Sequence, residues 1–289
     1  MGIDKSTLKA GGFMPQIQKD HYSMRLKVVG GNISVSQLLQ IAKIARKYGQ
    51  DYVHLTSRQG VEIPFVKYEE IEAVKDELAK GKLELGAAGA RVRSITACQG
   101  GKCCPQGVID AGAVARKLDA RYFGRQLPHK FKIGVTGCPN NCLKAEENDL
   151  GVKGGVEKSW VKENCVFCGA CQRVCKRKAI IIEKGTATFF DDKCNHCGKC
   201  VKACPKNAMQ GVNGFILSFG GTFGNEIVKG RNLLPLITDE ESLFRVCDAT
   251  LDFFEKRARK GERLALLLKR VGVAPLRRVL EKALVSTGE

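Results

Sequence analysis

The chain lacks any run approaching the roughly 20 uncharged apolar residues that a membrane span requires. Its opening segment, MGIDKSTLKAGGFMPQIQKD, has no apolar stretch of the kind a leader peptide carries, so the sequence reads as cytoplasmic. Acidic residues are few: 30 Asp plus Glu stand against 48 Lys plus Arg, a formal net charge of +18. That excess attracts anions at long range. There is no helix-turn-helix signature, RNA-binding signature or long Lys/Arg block, so nucleic acid is set aside. Small anions, a carboxylate-rich cofactor or an acidic protein donor remain as partners. Histidine is scarce, at four residues, and His21 and His129 stand at no ligand-like spacing. The single tryptophan, Trp160, reads as packing rather than as a redox relay.

What is present is a chain of 289 residues, 44% hydrophobic, long enough for two or three compact units with ordinary cores. It contains 14 cysteines. A short secreted chain would pair them, but a larger chain without a leader sits where thiols stay reduced, and metal ligation becomes the leading explanation.

Hydrophobic periodicity predicts a strand at 24–29 and a helix at 34–48 with Ser34 as N-cap and Gly49 as its stop. Strands at 52–56 and 61–66 and a second amphipathic helix at 68–80 complete an α+β layer with its helices on one face. A flexible run at 86–90 leads to a cysteine-bearing segment, a helix near 109–122 and a strand at 130–135. GVKGG at 151–155 marks a change of composition, and cysteine dominates from 164 to 205. A strand at 214–219 follows, and the tail from Asp239 reads as helical, with Leu251, Phe254 and Ala258 on one spacing. Cys247 falls among its apolar positions as a structural thiol, and the basic stretch 256–263 reads as a solvated face.

The strongest signal is an internal repeat. Cys165, Cys168, Cys171 and Cys175 follow C-x2-C-x2-C-x3-C, and Cys194, Cys197, Cys200 and Cys204 repeat it, the second run ending in Pro205. This is the two-cluster bacterial ferredoxin spacing, in which the fourth Cys of each run serves the other cluster. Cys165, Cys168, Cys171 and Cys204 are therefore assigned to one [4Fe-4S] centre, and Cys194, Cys197, Cys200 and Cys175 to its neighbour. Lys176 replaces the Pro expected after the first run. Zinc, which also takes C-x2-C pairs, is the competing reading. His196, inside CNHCGKC, reads as shielding a cluster rather than binding it.

A second set comprises Cys98 and Cys104 in CQGGKCCP and Cys138 and Cys142 in TGCPNNC, each pair beside Gly or Pro turns that could aim four thiolates at one point. Spacing alone leaves zinc and a cluster equally open. Around this set lie Arg25, Arg58, Arg93, Lys130 and Lys132. Taken singly, each is most simply a solvated surface charge. Lys130 and Lys132 alternate on one strand face, and the grouping points to an anion site.

These features resemble the siroheme-dependent sulfite and nitrite reductase family. The resemblance rests on the paired C-x5-C and C-x3-C runs, HLTSRQG, the Arg93 approach to Cys98 and LPHKFK, in the family's order, and the layout looks like the catalytic subunit of anaerobic sulfite reductase and related small reductases. It implies an α+β chain with a ferredoxin-like half-domain over 1–85, a siroheme and [4Fe-4S] domain over 86–155 and 213–289, and an inserted two-cluster ferredoxin domain over 156–212. It further implies a [4Fe-4S] cluster on Cys98, Cys104, Cys138 and Cys142, with Cys142 also bridging to siroheme, and hence three clusters in all. Arg25, Arg93, Lys130 and Lys132 would bind the anionic substrate, and Arg58 would pair with siroheme carboxylates. His54 stands where relatives often have Arg, and Cys103 is an extra thiol that could replace Cys104. The activity implied is six-electron reduction of sulfite to sulfide, with electrons entering through the ferredoxin clusters. Nitrite reduction to ammonia, or a non-catalytic electron carrier, is the alternative. Longer relatives hold the cations and the cluster cysteines in two fused halves, so this single-copy chain is expected to pair, as a homodimer or with homologous or accessory subunits, and to take electrons from a low-potential donor protein.

Overall fold

The computed structural model describes residues 5–183 and 185–285; residues 1–4 of the segment read for a leader, and the last four residues of the tail, lie outside them. The chain runs α1 (Lys5–Ala10), β1 (Phe13–Pro15), β2 (His21–Arg25), α2 (Val35–Tyr48), β3 (His54–Leu55), β4 (Val61–Lys67) and α3 (Ile71–Lys80). These strands form an antiparallel sheet in the order β1-β2-β4-β3. Tyr22, Met24, Leu26 and Val28 alternate inward and pack with Ile41, Ile44, Val61, Ile63, Val74 and Leu78 in one core. The predicted strand at 24–29 has the right inward phase but the wrong bounds. After Arg25 the ladder changes partner: Leu26 bridges Leu85, and the Lys27 amide donates to the Glu84 carbonyl at 2.8 Å. α2 begins where its capping box predicts. Ser34 accepts from the Gln37 amide while the Gln37 side chain accepts from the Ser34 amide, and Gly49 ends the helix.

The second unit contains β5 (Thr96–Ala97), α4 (Ala111–Tyr122), β6 (Ile133–Thr136), β7 (Leu150–Trp160), α5 (Ala170–Val174), β8 (Ile180–Glu183), β9 (Thr186–Phe189), α6 (Lys199–Ala203), β10 (Met209–Phe219), α7 (Glu240–Arg257), α8 (Leu264–Val271) and α9 (Ala274–Val285). Its sheet order is β10-β7-β6-β5, with β5, β6 and β7 parallel and β10 antiparallel to β7. α4 and the C-terminal helices cover one face, where Phe131, Ile133, Val135, Val152, Leu217, Leu251 and Phe254 form the larger core. Cys247 lies in that core, fully buried.

β7 and β10 pair along their whole length, and the GVKGG run lies inside the long strand β7. Its glycines answer a packing need: a Cβ on Gly154 would stand 2.4 Å from the Gly137 carbonyl oxygen. Buried positions end at Val156 on β7 and, past the buried Met209 at the start of β10, resume at Gly214, so the ribbon leaves the core there, with Val156 opposite Asn213 and Gly155 opposite Gly214. Its outer half carries the cysteine-rich segment and the separate β8-β9 hairpin.

Candidate anion cavity and cysteine centres

Two buried links join the units beside a shared cavity. Lys27 pairs with Asp119 at 3.1 Å, and Asp119 is 3% exposed. Gln59, from the HLTSRQG segment, uses its side-chain amide to donate to the Ala97 carbonyl and accept from the Ala97 amide, both at 2.9 Å. That bidentate contact satisfies the free edge of β5 as another strand would. Sequence reasoning missed Gln59, although it stands next to Arg58 in the motif.

Between the units lies a cavity of about 260 Å³ lined by Arg25, Arg58, Arg93, Lys130 and Lys132, together with Thr56, Ser57 and Ser94. All five cations singled out in the sequence reach it. Lys130 and Lys132 flank Phe131, which is fully buried and bridges Val92, so extended backbone turns both ammonium groups to the cavity side while Phe131 enters the core. The predicted strand begins later, at Ile133.

The cations are held differently. Arg25 is committed to Glu62, its cross-strand neighbour, with Nε at 2.7 Å and Nη2 at 2.6 Å from the same carboxylate oxygen. Arg58 donates to Asn148 Oδ1 and to the Ser94 carbonyl, each at 3.1 Å. Burial pushes it down to about 10, against the pull of Asp149. Arg93 donates to the Ala87 and Gly89 carbonyls at 2.6 and 3.0 Å, but its Nε is buried without a partner. It too is pushed to about 10, by burial first and then by Arg25 and Arg263. Lys132 is lowered to about 8 by burial and by Arg58, Arg263 and Lys130. An orphaned buried donor and several crowded, desolvated cations make a site whose free energy falls when an anion enters.

Arg263 corrects one reading. The stretch 256–263 does not end as a solvated face: Arg263 turns inward and grips Asp149 through Nε at 3.0 Å and Nη2 at 2.8 Å. Asp149 is fully buried and also accepts the Lys132 backbone N–H at 2.8 Å. Asn148, beside it, donates through Nδ2 to the Lys144 and Ala145 carbonyls while holding Arg58. Asn148, Asp149 and Arg263 carry no motif of their own, and only their position just after TGCPNNC hints at the first two.

Cys98 directly follows β5, and Cys138 lies just beyond β6. The Cys138 thiol is pushed up by burial and by its neighbours Cys104, Cys142 and Cys98, so these four share one electrostatic environment; Cys103 is exposed. The Gly137 amide donates to Cys98 Sγ at 3.1 Å. Asn141 has φ 55°, accepts the Ala145 amide at its Oδ1 and so folds the loop back after Cys138, which is why this turn carries Asn. His54 is exposed.

In the ribbon's outer half, one small cavity is lined by Cys165, Cys168, Cys171 and Cys204, and a second by Cys175, Cys194, Cys197 and Cys200. The fourth cysteine of each run thus lies with the other run's three. The two runs repeat in backbone as well: Phe167 and His196, Gly169 and Gly198, and Lys178 and Asn207 all have positive φ at matching positions. Main-chain amides of Ala179, His196 and Met209 donate to Cys175, Cys194 and Cys204. Trp160 lines the first of these cavities and packs on Phe189 at 5.6 Å. Among the described residues no group of three or more His, Cys, Asp or Glu forms a site for a single metal ion, and no helix is long and apolar enough to cross a membrane.

Residues 14–81 match the nitrite/sulfite reductase ferredoxin-like half domain, and residues 88–286 match the nitrite and sulphite reductase 4Fe-4S domain. The chain is 35% identical over 246 residues, 84% of its length, to a coenzyme F420-dependent sulfite reductase of Methanocaldococcus jannaschii, and 32% identical over 167 residues, 53% of its length, to an anaerobic sulfite reductase subunit of Salmonella typhimurium. It spans only 39% and 49% of those two relatives. Its fold resembles a crystal structure of dissimilatory sulfite reductase I, with a TM-score of 0.72 at 20% identity, covering 93% of this chain and 72% of that one. With cations of the cavity just before β5 and β6 and cysteines just beyond their C-terminal ends, the chain belongs to the nitrite and sulphite reductase family.

Proposed function

We propose that the protein is a siroheme-dependent sulfite reductase with three [4Fe-4S] clusters, one on Cys98, Cys104, Cys138 and Cys142 and two in an inserted ferredoxin-type domain over 156–212. The observation that carries this reading is the meeting of Arg25, Arg58, Arg93, Lys130 and Lys132 in one desolvated cavity. That set fits a carboxylate-rich cofactor together with a small oxyanion, since the buried Arg93 Nε is a donor without a protein acceptor and Lys130 and Lys132 line the same cavity. Siroheme, when bound, would supply the iron at which sulfite is reduced, and Cys142 would join it to the adjacent cluster. Arg58 would hold carboxylates, while Arg25, Arg93 and the two lysines would neutralise the oxyanion and favour departure of its oxygens as water. Lys132, lowered to about 8, is suited to give up a proton near neutral pH.

The two cysteine sets of the ribbon differ in exposure. Cys168 is exposed, whereas its counterpart Cys197 is half-buried, and the Val156 amide at the base of the ribbon binds the His196 carbonyl at 2.8 Å. Clusters held on these sets would let electrons from an acidic, low-potential donor protein enter at the more exposed Cys165 set and reach the core through the Cys194 set. No disulfide joins the fourteen cysteines, which leaves twelve of them available as the proposed cluster ligands.

Lys132 and Cys138 are separated by six residues of nearly extended chain, roughly 20 Å at about 3.3 Å per residue. This supports a paired assembly in which one chain's cations complete the centre built on another's cysteines. Sedimentation of the loaded protein as a fully active monomer refutes the pairing.

The test of the activity is anaerobic turnover of siroheme-loaded protein with a reduced dye, quantifying sulfide from sulfite and ammonia from nitrite. A higher kcat/KM for sulfite with sulfide as product supports the assignment; preferential ammonia formation transfers it to nitrite. No turnover of either anion by loaded protein points to a missing partner subunit or to the carrier reading.

A further inference from the structure

Neutralising an oxyanion uses the cations of the cavity but not the one acid buried beneath them. Asp149 is fully buried just before β7, and each of its side-chain oxygens is engaged. One accepts Arg263 Nε at 3.0 Å; the other accepts Arg263 Nη2 and the Lys132 backbone N–H, both at 2.8 Å. Its carbonyl accepts the Gly220 amide at 2.8 Å. Arg263 is delivered by the turn between α7 and α8, and that turn is pinned to the segment bearing Lys130 and Lys132 by the Gly261 amide, which donates to the Pro128 carbonyl at 3.1 Å. The C-terminal helices, which contribute no cavity-lining residue, therefore reach the anion site through the Arg263–Asp149 ion pair and the Gly261–Pro128 hydrogen bond.

The charges acting most strongly on Lys132 are Arg58 in the loop after β3, Lys130 on its own segment, Arg263 before α8, and Asp149; His129, on the same segment, feels Lys130, Arg263 and Asp149 as well. Arg25 and Arg93 stand across the cavity. Asp149 is the one carboxylate among the groups acting most strongly on Lys132, and it is the largest attractive charge on Arg58. Arg25 pairs separately with Glu62.

We propose that Asp149, clamped by Arg263, is the positioning residue of the anion cavity: it fixes the backbone on which Lys132 is mounted and supplies the negative charge that holds Lys132 and Arg58 in one site. The inference rests on the sulfite reductase reading for its consequence in turnover, but not for its geometry. A buried arginine-carboxylate fork is specific in direction as well as charge, so a lysine at 263 cannot replace it fully.

The test is the pH at which Lys132 loses its proton, read by competitive acetylation of the loaded protein and mass spectrometry of the Lys132 peptide, alongside the alkaline limb of sulfite turnover. In Asp149→Asn the shape and the acceptor for the Lys132 N–H persist while the charge is gone, and the midpoint falls by about one pH unit. The double variant Asp149→Asn with Arg263→Gln leaves no unpaired charge. Because Arg263 repels Lys132 more strongly than Asp149 attracts it, the midpoint of the double variant returns to the wild-type value or above. A role confined to packing leaves the midpoint unmoved in the single variant, or lowers it at least as far in the double one, and either result overturns the proposal. Should Asp149→Asn fail to fold, a double-variant midpoint below wild type overturns it equally. If the midpoints move as stated while no variant, nor the wild type, reduces sulfite, the positioning pair stands and the proposed activity falls.

Discussion

Replacing Asn148 with Ala tests whether the two units are held at the site by side chains rather than by contact alone. Asn148 is 6% exposed, accepts Arg58 Nη1 at 3.1 Å and donates to the Lys144 and Ala145 carbonyls at 3.3 and 3.2 Å. Removing it leaves a buried guanidinium one bond short, worth about 1.5–3 kcal/mol, and two carbonyls each about 1 kcal/mol poorer, for a total of about 4 kcal/mol. In a chain of this size that lowers Tm by about 10 °C. Calorimetry of the loaded protein measures the loss, and siroheme content measures its functional side, since Arg58 keeps only its bond to the Ser94 carbonyl. Asn148→Asp separates the two effects. It keeps the acceptor for Arg58 and so retains cofactor, but it sets a carboxylate against two carbonyls and remains destabilised. A stability within about 1 kcal/mol of wild type for Asn148→Ala, with normal cofactor content, refutes the reasoning.

Cys204→Ser and Cys165→Ser are expected to abolish the same electron paramagnetic resonance signal, and Cys175→Ser and Cys194→Ser to abolish a different one; loss grouped by run instead of across runs contradicts the crossed arrangement. Gly154→Ala places a Cβ 2.4 Å from the Gly137 oxygen, directly before Cys138, and is expected to cost about 3 kcal/mol and lower cluster content measured by iron analysis. Ser34→Ala removes the cap of α2, far from the cavity, and is expected to cost about 1 kcal/mol by denaturant unfolding with sulfite affinity unchanged.

Local order was readable wherever neighbouring residues decide it. The Ser34 cap and the Gly49 stop follow from side chains competing for nearby amides. The inward phase of Tyr22, Met24, Leu26 and Val28 follows from alternation along a strand, while the end of that strand depends on a partner some sixty residues away in sequence, at Leu85. In GVKGG, composition does not distinguish a glycine that bends a chain from one that lets two backbones touch. The ribbon shows it to be the second kind.

By itself the sequence determined the chemistry on offer: two crossed runs of four thiols, a further two pairs, and five cations in motifs, because ligand type and short spacing are properties of adjacent residues. Only the tertiary structure decided which charges meet. Arg58 reaches Asn148 across 90 residues and Arg263 reaches Asp149 across 114, and neither contact leaves a trace in local pattern. The physical reason is that a buried charge is tolerated only where a partner is brought to it, and bringing that partner is the work of packed sheets and helices rather than of any short stretch of chain.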